Sequence, residues 1–301
     1  MTRHARGRAA KKVYAFIDTN IFLDFYRDST EATLSLLHRI GPVQDRIIST
    51  YQVEMEFLKN RQRVIQDALV KLKLQPSPNV PAIFADSATN TSMRALNKTA
   101  SEKAALIRKR TMRLLRDPKR FDVVFKSLTG IFQSTSPYVL TRDMPERKEV
   151  KRLAWRRFIL GYPPRKSGDN SVGDALNWEW IIRCGRSLQG TILLVSRDGD
   201  FGSFVDKEGF LNDQLAHEYR DRVGARRKLI LTNRLSDALK ELDVRVPQVE
   251  IDAEAAVIAE SPNRVSDGMP IGPQARSFQE IVNYLQFLQD PSLRKGDLKG
   301  L

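Results

Sequence analysis

The chain has 301 residues, of which 41% are hydrophobic and 29% charged, a globular composition that excludes a wholly disordered or collagen-like chain. Lys and Arg number 50 against 36 Asp and Glu, so the net charge of +14 favours a polyanionic partner such as nucleic acid. The single cysteine, Cys184, excludes an intramolecular disulfide and a cysteine metal cluster. No apolar stretch approaches the ~18 residues of a membrane helix, and the N-terminus lacks the apolar core of a signal peptide. We therefore expect a cytoplasmic protein without a membrane partner.

The chain opens with a basic arm, residues 1–12, which holds five basic and no acidic residues. The first predicted strand follows at Val13–Ile17, and Asp18 comes directly after it. Open parallel sheets bind their ligands at this end of their strands. A carboxylate at this position would equally suit a helix cap without any other role. Asp18 is therefore a candidate site residue with a structural alternative.

A weaker strand is predicted at Arg46–Ser49, and the helix after it carries two acids, Glu54 and Glu56. Residues two apart on a helix differ by about 200° in direction, so only one of the two can face a site. The apolar positions Val53 and Phe57 put Glu54 nearer the buried arc and Glu56 on its flank, which slightly favours Glu54. Both acids could also be solvated helix charges.

Residues 76–163 interrupt the alternation of strands and helices, and loop-forming Pro and Gly residues bound them. Three helices are expected inside this segment, over Thr91–Leu115, Arg120–Phe132 and Pro145–Leu160. Residues 94–120 hold ten basic and two acidic residues. We therefore expect a basic helical insertion within an α/β domain that is formed by residues 13–75 and 164–246.

Two more acids follow the insertion. Asp174 lies in the first turn of an apolar helix, where the helix dipole alone would favour a carboxylate. Asp198 lies just past a strand predicted at Thr191–Val195, and a last strand is predicted at Lys228–Thr232. The mildly acidic residues 247–301 are expected to form a linker and a terminal helix near Phe278–Leu288.

The predicted strands are short, continuous apolar runs that alternate with helices, which indicates an α/β fold with a central parallel sheet. Acids at strand ends and helix starts should then meet at the carboxyl edge of that sheet. Such carboxylates raise each other's pKa unless a cation neutralises them. Hard oxygen ligands select Mg²⁺ or Mn²⁺, and this kind of site suits phosphodiester hydrolysis.

These motifs together resemble those of the PIN-domain nucleases, and most closely the bacterial PIN-like group with an inserted helical region. The resemblance covers about residues 13–75 and 164–243, leaving the insertion and tail uncovered. It rests on Asp18–Asn20, Gln52–Arg61, Ser171–Trp178 and Ser196–Phe201, the third of which contains Gly173–Asp174.

The resemblance implies a Rossmann-like PIN fold, with a central parallel sheet flanked by helices, and an Mg²⁺- or Mn²⁺-dependent endonuclease that most often cleaves RNA. It implies four catalytic metal ligands, which are Asp18, Glu56, Asp174 and Asp198. Asn20 would orient Asp18 or the substrate. Glu56 is preferred to Glu54 because its spacing from Val53 and the Phe57 after it match the family pattern. Arg197 departs from that pattern, which often has a small, polar or acidic residue there. The reserve ligands are Asp200, Asp169 and Glu54.

The function expected from the sequence is therefore a metal-dependent endoribonuclease whose basic arm and insertion hold the phosphate backbone. A structure-specific DNA nuclease and a non-catalytic nucleic-acid-binding scaffold stay open as alternatives. A homo-oligomer and an acidic inhibitor protein also stay open as partners. The sequence decides neither the number of metal ions nor a role in toxicity, defence or RNA processing.

Overall fold

The fold is described from a computed structural model over residues 12–27, 30–71, 81–84, 87–165 and 171–259. Its strands are β1 (Lys12–Ile17), β2 (Ile47–Thr50), β3 (Val139–Leu140), β4 (Gly190–Val195), β5 (Gly202–Val205), β6 (Glu208–Leu211) and β7 (Lys228–Thr232). Five of them form a parallel sheet in the order β3-β2-β1-β4-β7, while β5 and β6 form an antiparallel hairpin. The predicted α/β fold with a central parallel sheet is confirmed.

Helices flank this sheet. In the first half of the chain they are α1 (Thr19–Asp24), α2 (Glu31–Ile40), α3 (Tyr51–Lys71), α4 (Ala88–Arg116), α5 (Pro118–Phe121) and α6 (Val123–Phe132). In the second half they are α7 (Glu146–Leu160), α8 (Gly173–Ser187), α9 (Asp213–Val223), α10 (Leu235–Glu241) and α11 (Gln248–Ala259). Short 3-10 turns lie at Gly41–Arg46 and Ala82–Phe84. Within the described residues, no helix combines the length and apolarity that crossing a bilayer requires.

The register of the two central strands sets the position of the site. Strand β1 is buried from Tyr14 to Ile17 because helices cover both faces of the sheet, which explains its continuous apolar sequence. Ile17 pairs with Val195 at the carboxyl ends of β1 and β4. The Asp18 N–H then donates to the Val195 carbonyl at 2.9 Å. The residues that follow the two strands, Asp18 and Ser196, therefore start side by side.

The segment 76–163, expected to be a helical insertion, is partly built into the main domain. Strand β3 lies within it and pairs with β2 at the edge of the sheet. Helix α6 also buries Val124, Leu128 and Ile131 in the core. Helix α4 does have the expected character of an exposed basic helix, because its buried residues are Asn90 and Ala104. A strand of two residues is too short to show a periodic pattern, so the sequence did not reveal β3.

The tail also departs from its prediction. A linker was expected from residue 247, whereas residues 248–259 form α11 and bury two acids, Glu250 and Glu254. The pattern of α11 did not indicate a buried helix, because its buried acids depend on ion pairs with Arg39 and Arg197. The predicted terminal helix near residues 278–288 and nearly all of the N-terminal arm lie outside the described residues.

A partly buried ionic network, formed by Arg157, Glu179, Glu218 and Arg222, joins α7, α8 and α9. Arg157 pairs with both glutamates, and its Nε lies 3.2 Å from Glu179 Oε1. Arg222 lies 2.6 Å from a carboxylate oxygen of each glutamate. The Trp178 indole N–H also donates to Glu218 Oε2 at 3.1 Å. The network therefore ties the middle of α8, at Trp178 and Glu179, to α7 and α9.

Candidate functional site

Asp18 lies at the junction of β1 and α1 and is 5% exposed. Its Oδ1 accepts a hydrogen bond from the Thr19 N–H at 2.6 Å, so the residue does cap α1. Its Oδ2 accepts two further hydrogen bonds, from Ser196 Oγ at 2.6 Å and from Asn20 Nδ2 at 2.9 Å. Asn20 thus makes the contact with Asp18 that the sequence predicted. Asp18 therefore caps α1 and also lies at the carboxyl edge of the sheet.

The electrostatic surroundings of Asp18 are unfavourable for its charge. Burial is the main cause that raises the pKa of Asp18 to about 7, and the carboxylates of Asp198 and Glu56 raise it further. The hydrogen bonds from Ser196 and Thr19 act in the opposite direction and only partly offset this effect. The three acids therefore form one electrostatically coupled group, which we call the acidic cluster: Asp18, Glu56 and Asp198.

Helix α3 contributes Glu56 to this cluster. Thr19 Oγ1 donates to Glu56 Oε2 at 3.2 Å, and Gln52 Nε2, one turn earlier on α3, donates to Glu56 Oε1 at 2.7 Å. Glu54 points about 200° away from Glu56 around the same helix. Because α3 packs against both α1 and α8, the flank of its apolar arc, which carries Glu56, faces Asp18. The choice between Glu54 and Glu56 as a ligand stays a prediction.

Helix α8 approaches the same glutamate through Gly173. A Cβ atom at residue 173 would lie 2.3 Å from Glu56 Oε1 and 2.7 Å from Gln52 Nε2, so any side chain there would collide with both. Glycine allows the first turn of α8 to press against Glu56. Asp174 is the next residue in that turn and is half-buried. The glycine of the sequence motif thus has a packing reason at this position.

The loop after β4 carries Asp198 and is tied to Asp18 through hydrogen bonds. Ser196 Oγ, which donates to Asp18, accepts from the Asp198 N–H at 3.0 Å. The Asp200 N–H in turn donates to Asp198 Oδ1 at 3.3 Å. On the other side, the Arg197 N–H donates to Asn20 Oδ1 at 3.4 Å. The loop is therefore held against the end of β1 at several points.

Sequence reasoning assigned no role to three residues that hold the acids, which are Thr19, Gln52 and Ser196. All three lie inside the motifs that carried the family resemblance. A signal for Ser196 was present, because a small polar residue directly after a central strand of a parallel sheet should lie at the level of Asp18. The contact of Thr19 with Glu56 depends on how α1 and α3 cross and could not be read from spacing.

The structure therefore brings Asp18, Glu56 and Asp198 together and sets the turn that holds Asp174 against Glu56. Of the reserve ligands, Asp200 belongs to the same loop as Asp198, whereas Glu54 faces away from Glu56. Asp169 lies outside the described residues. The roles of all these residues as ligands stay predictions.

A comparison with protein-family models matches the PIN domain over residues 15–201. This chain belongs to the PIN-domain family. PIN domains are in general hydrolases of the nuclease type that bind nucleic acid, and they typically use divalent metal ions. Searches of curated proteins and of solved structures each found no match. The matched span contains all four predicted ligands and ends before the β5–β6 hairpin and helices α9 to α11.

The acids of this PIN domain suit a hard divalent cation in donor type and in charge. They offer only carboxylate oxygens, and the charges that act most strongly on Asp18 are both negative. Within the part of the chain that the structure describes, no three His, Cys, Asp or Glu side chains already surround a point that an ion could occupy. The chemistry of the donor set therefore fits the metal that PIN domains typically use, although the ligands are not assembled around one.

Proposed function

We propose that this PIN domain is a metal-dependent endonuclease that hydrolyses phosphodiester bonds, with RNA as its substrate. The observation that carries the proposal is the buried Asp18, whose pKa is raised to about 7 next to two further carboxylates at the carboxyl edge of the sheet. Perturbed acids of this kind cluster at functional sites, where burial and neighbouring charges shift the pKa of the groups that take part in the chemistry. The preference for RNA rests on the resemblance to the PIN-domain nucleases.

In this proposal Asp18, Glu56, Asp174 and Asp198 would hold Mg²⁺ or Mn²⁺. When bound, such an ion would activate a water molecule for attack and would offset the negative charge of the phosphate. The protein contributes by holding the acids in place before the substrate arrives. Ser196 and Asn20 fix both the loop after β4 and the carboxylate of Asp18, while Thr19 and Gln52 fix the two oxygens of Glu56.

Helix α4 is proposed to bind the phosphate backbone of the substrate. At 1.5 Å per residue its 29 residues extend over about 43 Å, and it carries eight basic residues and one acid. Its basic residues are Arg94, Lys98, Lys103, Arg108, Lys109, Arg110, Arg113 and Arg116, all exposed. Contacts to phosphate give affinity without sequence selection, so substrate binding should weaken steeply as the salt concentration rises.

The test is cleavage of single-stranded RNA, single-stranded DNA and branched DNA by the purified chain with Mg²⁺, with Mn²⁺ and with a chelator. We expect metal-dependent cleavage with RNA as the best substrate, and its loss in Asp18→Asn and Asp174→Asn. Asp213→Asn is the matched control, because Asp213 is an exposed acid in the first turn of α9. Preferential cleavage of branched DNA would favour the DNA nuclease. Binding of RNA without any cleavage would favour the scaffold.

A further inference from the structure

Arg197 lies between Ser196 and Asp198, yet its side chain leaves the acidic cluster and is only 19% exposed. The guanidinium forms an ion pair with Asp24 at the end of α1, and its Nη2 lies 3.4 Å from Glu254 Oε1 on α11. Its Nε also donates to the carbonyl of Asn233, after β7, at 3.2 Å. The side chain therefore anchors the loop after β4 to three other parts of the domain.

Glu254, the partner of Arg197 on α11, is itself held firmly. It is 2% exposed and accepts hydrogen bonds from two backbone N–H groups at the start of α10, from Leu235 at 2.6 Å and from Ser236 at 2.9 Å. The carboxylate thus satisfies donors that a helix N-terminus leaves unpaired. Because its position is fixed by backbone groups, Glu254 presents a stationary negative charge to Arg197.

A second ion pair fixes the other end of α11. Both oxygens of Glu250 bind the guanidinium of Arg39 on α2, at 2.5 Å and 2.6 Å. Arg39 also donates to the carbonyl of Arg245, just before α11, at 2.9 Å. Glu250 does not contact Arg197 in these hydrogen bonds, so the two buried acids of α11 have separable tasks.

We propose that α11 positions the candidate site, with Glu254 acting through Arg197 as a positioning residue for the loop that holds Asp198. The proposal rests on the nuclease function proposed above. Since the Arg197 N–H donates to Asn20 Oδ1, and Asn20 and Ser196 both donate to Asp18, a fixed Arg197 side chain limits movement of the groups that orient Asp18. The family match ends at residue 201, so α11 is an element of this chain outside the matched span.

Arg197 thus has a task other than binding phosphate. An arginine beside a nuclease site would usually be read as a substrate contact. Here two buried acids, Asp24 at 6% and Glu254 at 2% exposure, already hold its guanidinium. The arginine at this position, which departs from the family pattern, is thus paired with an acid of α11, Glu254.

The test compares Glu254→Gln, Arg197→Lys and the double variant with Glu250→Gln, the matched control on the same helix. Hydrogen exchange of the backbone amides of residues 196–198 is measured in the full chain without metal or nucleic acid, and kcat and KM are measured on RNA. In Glu254→Gln we expect exchange at Arg197 and Asp198 to rise about tenfold and kcat to fall about tenfold, at an unchanged KM. Glu250→Gln should change neither the exchange at Arg197 and Asp198 nor kcat.

The double variant should be no worse than the more damaged single variant, because both substitutions break the same connection. Unchanged loop exchange in both Glu254→Gln and Arg197→Lys would overturn the proposal, as would an equal effect of Glu250→Gln. A higher KM with unchanged kcat in Arg197→Lys would show instead that Arg197 contacts the substrate. If the wild-type chain cleaves nothing, the proposed function fails, while the exchange comparison still decides whether α11 holds the loop.

Discussion

Two groups of acidic side chains differ in the charges that surround them: the glutamates of the ionic network, within α8 and α9, and the acidic cluster at the carboxyl edge of the sheet. In the ionic network, Glu179 and Glu218 each contact two arginines, Arg157 and Arg222. Although burial acts to raise the pKa of Glu218, the hydrogen bonds from Arg157 and Arg222 lower it below the usual range of a glutamate.

In the acidic cluster the pKa shift has the opposite direction, since burial together with Asp198 and Glu56 raises the pKa of Asp18 to about 7. Hydrogen bonds from Ser196 and Thr19 orient the carboxylate without neutralising it. The difference separates a set of charges that holds helices together from the carboxylates that, in the proposed function, would bind a cation. Substitutions in the ionic network should therefore lower the stability, whereas substitutions in the acidic cluster should lower the activity.

The largest effect is expected on stability, from Arg157→Met in the ionic network. Removing one cation leaves the buried Glu179, 4% exposed, with less compensation, which should lower the free energy of unfolding by about 3–5 kcal/mol. Denaturant unfolding measures this loss, and kcat per folded molecule should stay at the wild-type value. The control Arg183→Met removes an exposed arginine that also pairs with a glutamate, Glu149 at 2.9 Å, and should cost about 0–1 kcal/mol. Equal losses in the two variants would contradict the account.

The next effect is on activity, from Glu56→Gln in the acidic cluster. We expect a loss of about 100-fold in kcat/KM, equivalent to about 2.7 kcal/mol, because the variant removes a charge that the cation would require. Glu54→Gln, two residues away on the same helix, should leave kcat/KM within about twofold of the wild type. Steady-state cleavage of RNA compares the two. If Glu54→Gln is the damaged variant, the helical arc was the better guide and the proposed ligand set is wrong.

A smaller effect is expected from Gly173→Ala. The new Cβ would meet the ends of two long side chains, Glu56 at 2.3 Å and Gln52 at 2.7 Å, which can shift at little cost to stability but then displace the Glu56 carboxylate. We expect kcat to fall about tenfold while the free energy of unfolding changes by less than about 1 kcal/mol.

Gly130→Ala provides the matched control for that change. Gly130 lies within α6, and nothing stands within 4 Å of the Cβ that alanine would add. This substitution should stabilise the protein by about 0.5–1 kcal/mol and leave cleavage unchanged. A loss of kcat in Gly130→Ala would mean that the activity assay reports general perturbation rather than the position of Glu56.

The smallest effect is the pH dependence of the ionic network. Because the folded state lowers the pKa of Glu218, its contribution to stability is present above the unfolded pKa of about 4.3 and is lost as the pH falls through the lower folded value. Wild type should exceed Glu218→Gln in stability near pH 7, by no more than about 1 kcal/mol since Glu218 is partly exposed to solvent, and the difference should close in acid. Denaturant unfolding between pH 7 and pH 3 measures it. A difference that grows toward acid would contradict the assignment.

Much of the sheet and part of the site could be predicted from sequence. Strands β1, β4 and β7 are continuous apolar runs, and the acids after β1 and β4 meet because parallel strands end at one edge. Strand β3 and the β5–β6 hairpin were not predicted, since runs of two to four residues carry little periodicity.

What could not be predicted depends on contacts between distant residues. The choice between Glu54 and Glu56 depends on which neighbours α3 meets on each side, and the burial of Glu254 depends on Arg197 and on the start of α10. Neither fact is contained in local spacing. The preference for Glu56 came from the family pattern and stays a prediction, whereas the burial of Glu254 lies beyond the matched span and emerged only from the folded arrangement.

The central claim, that the acidic cluster is prepared for a divalent cation and the ionic network is not, is tested most directly by titrating Mn²⁺ into the chain without nucleic acid in a calorimeter. We expect the wild type to bind Mn²⁺, Asp18→Asn to bind at least about tenfold more weakly, and Glu218→Gln to bind as the wild type does. No binding by the wild type, or equal binding by Asp18→Asn, would contradict it.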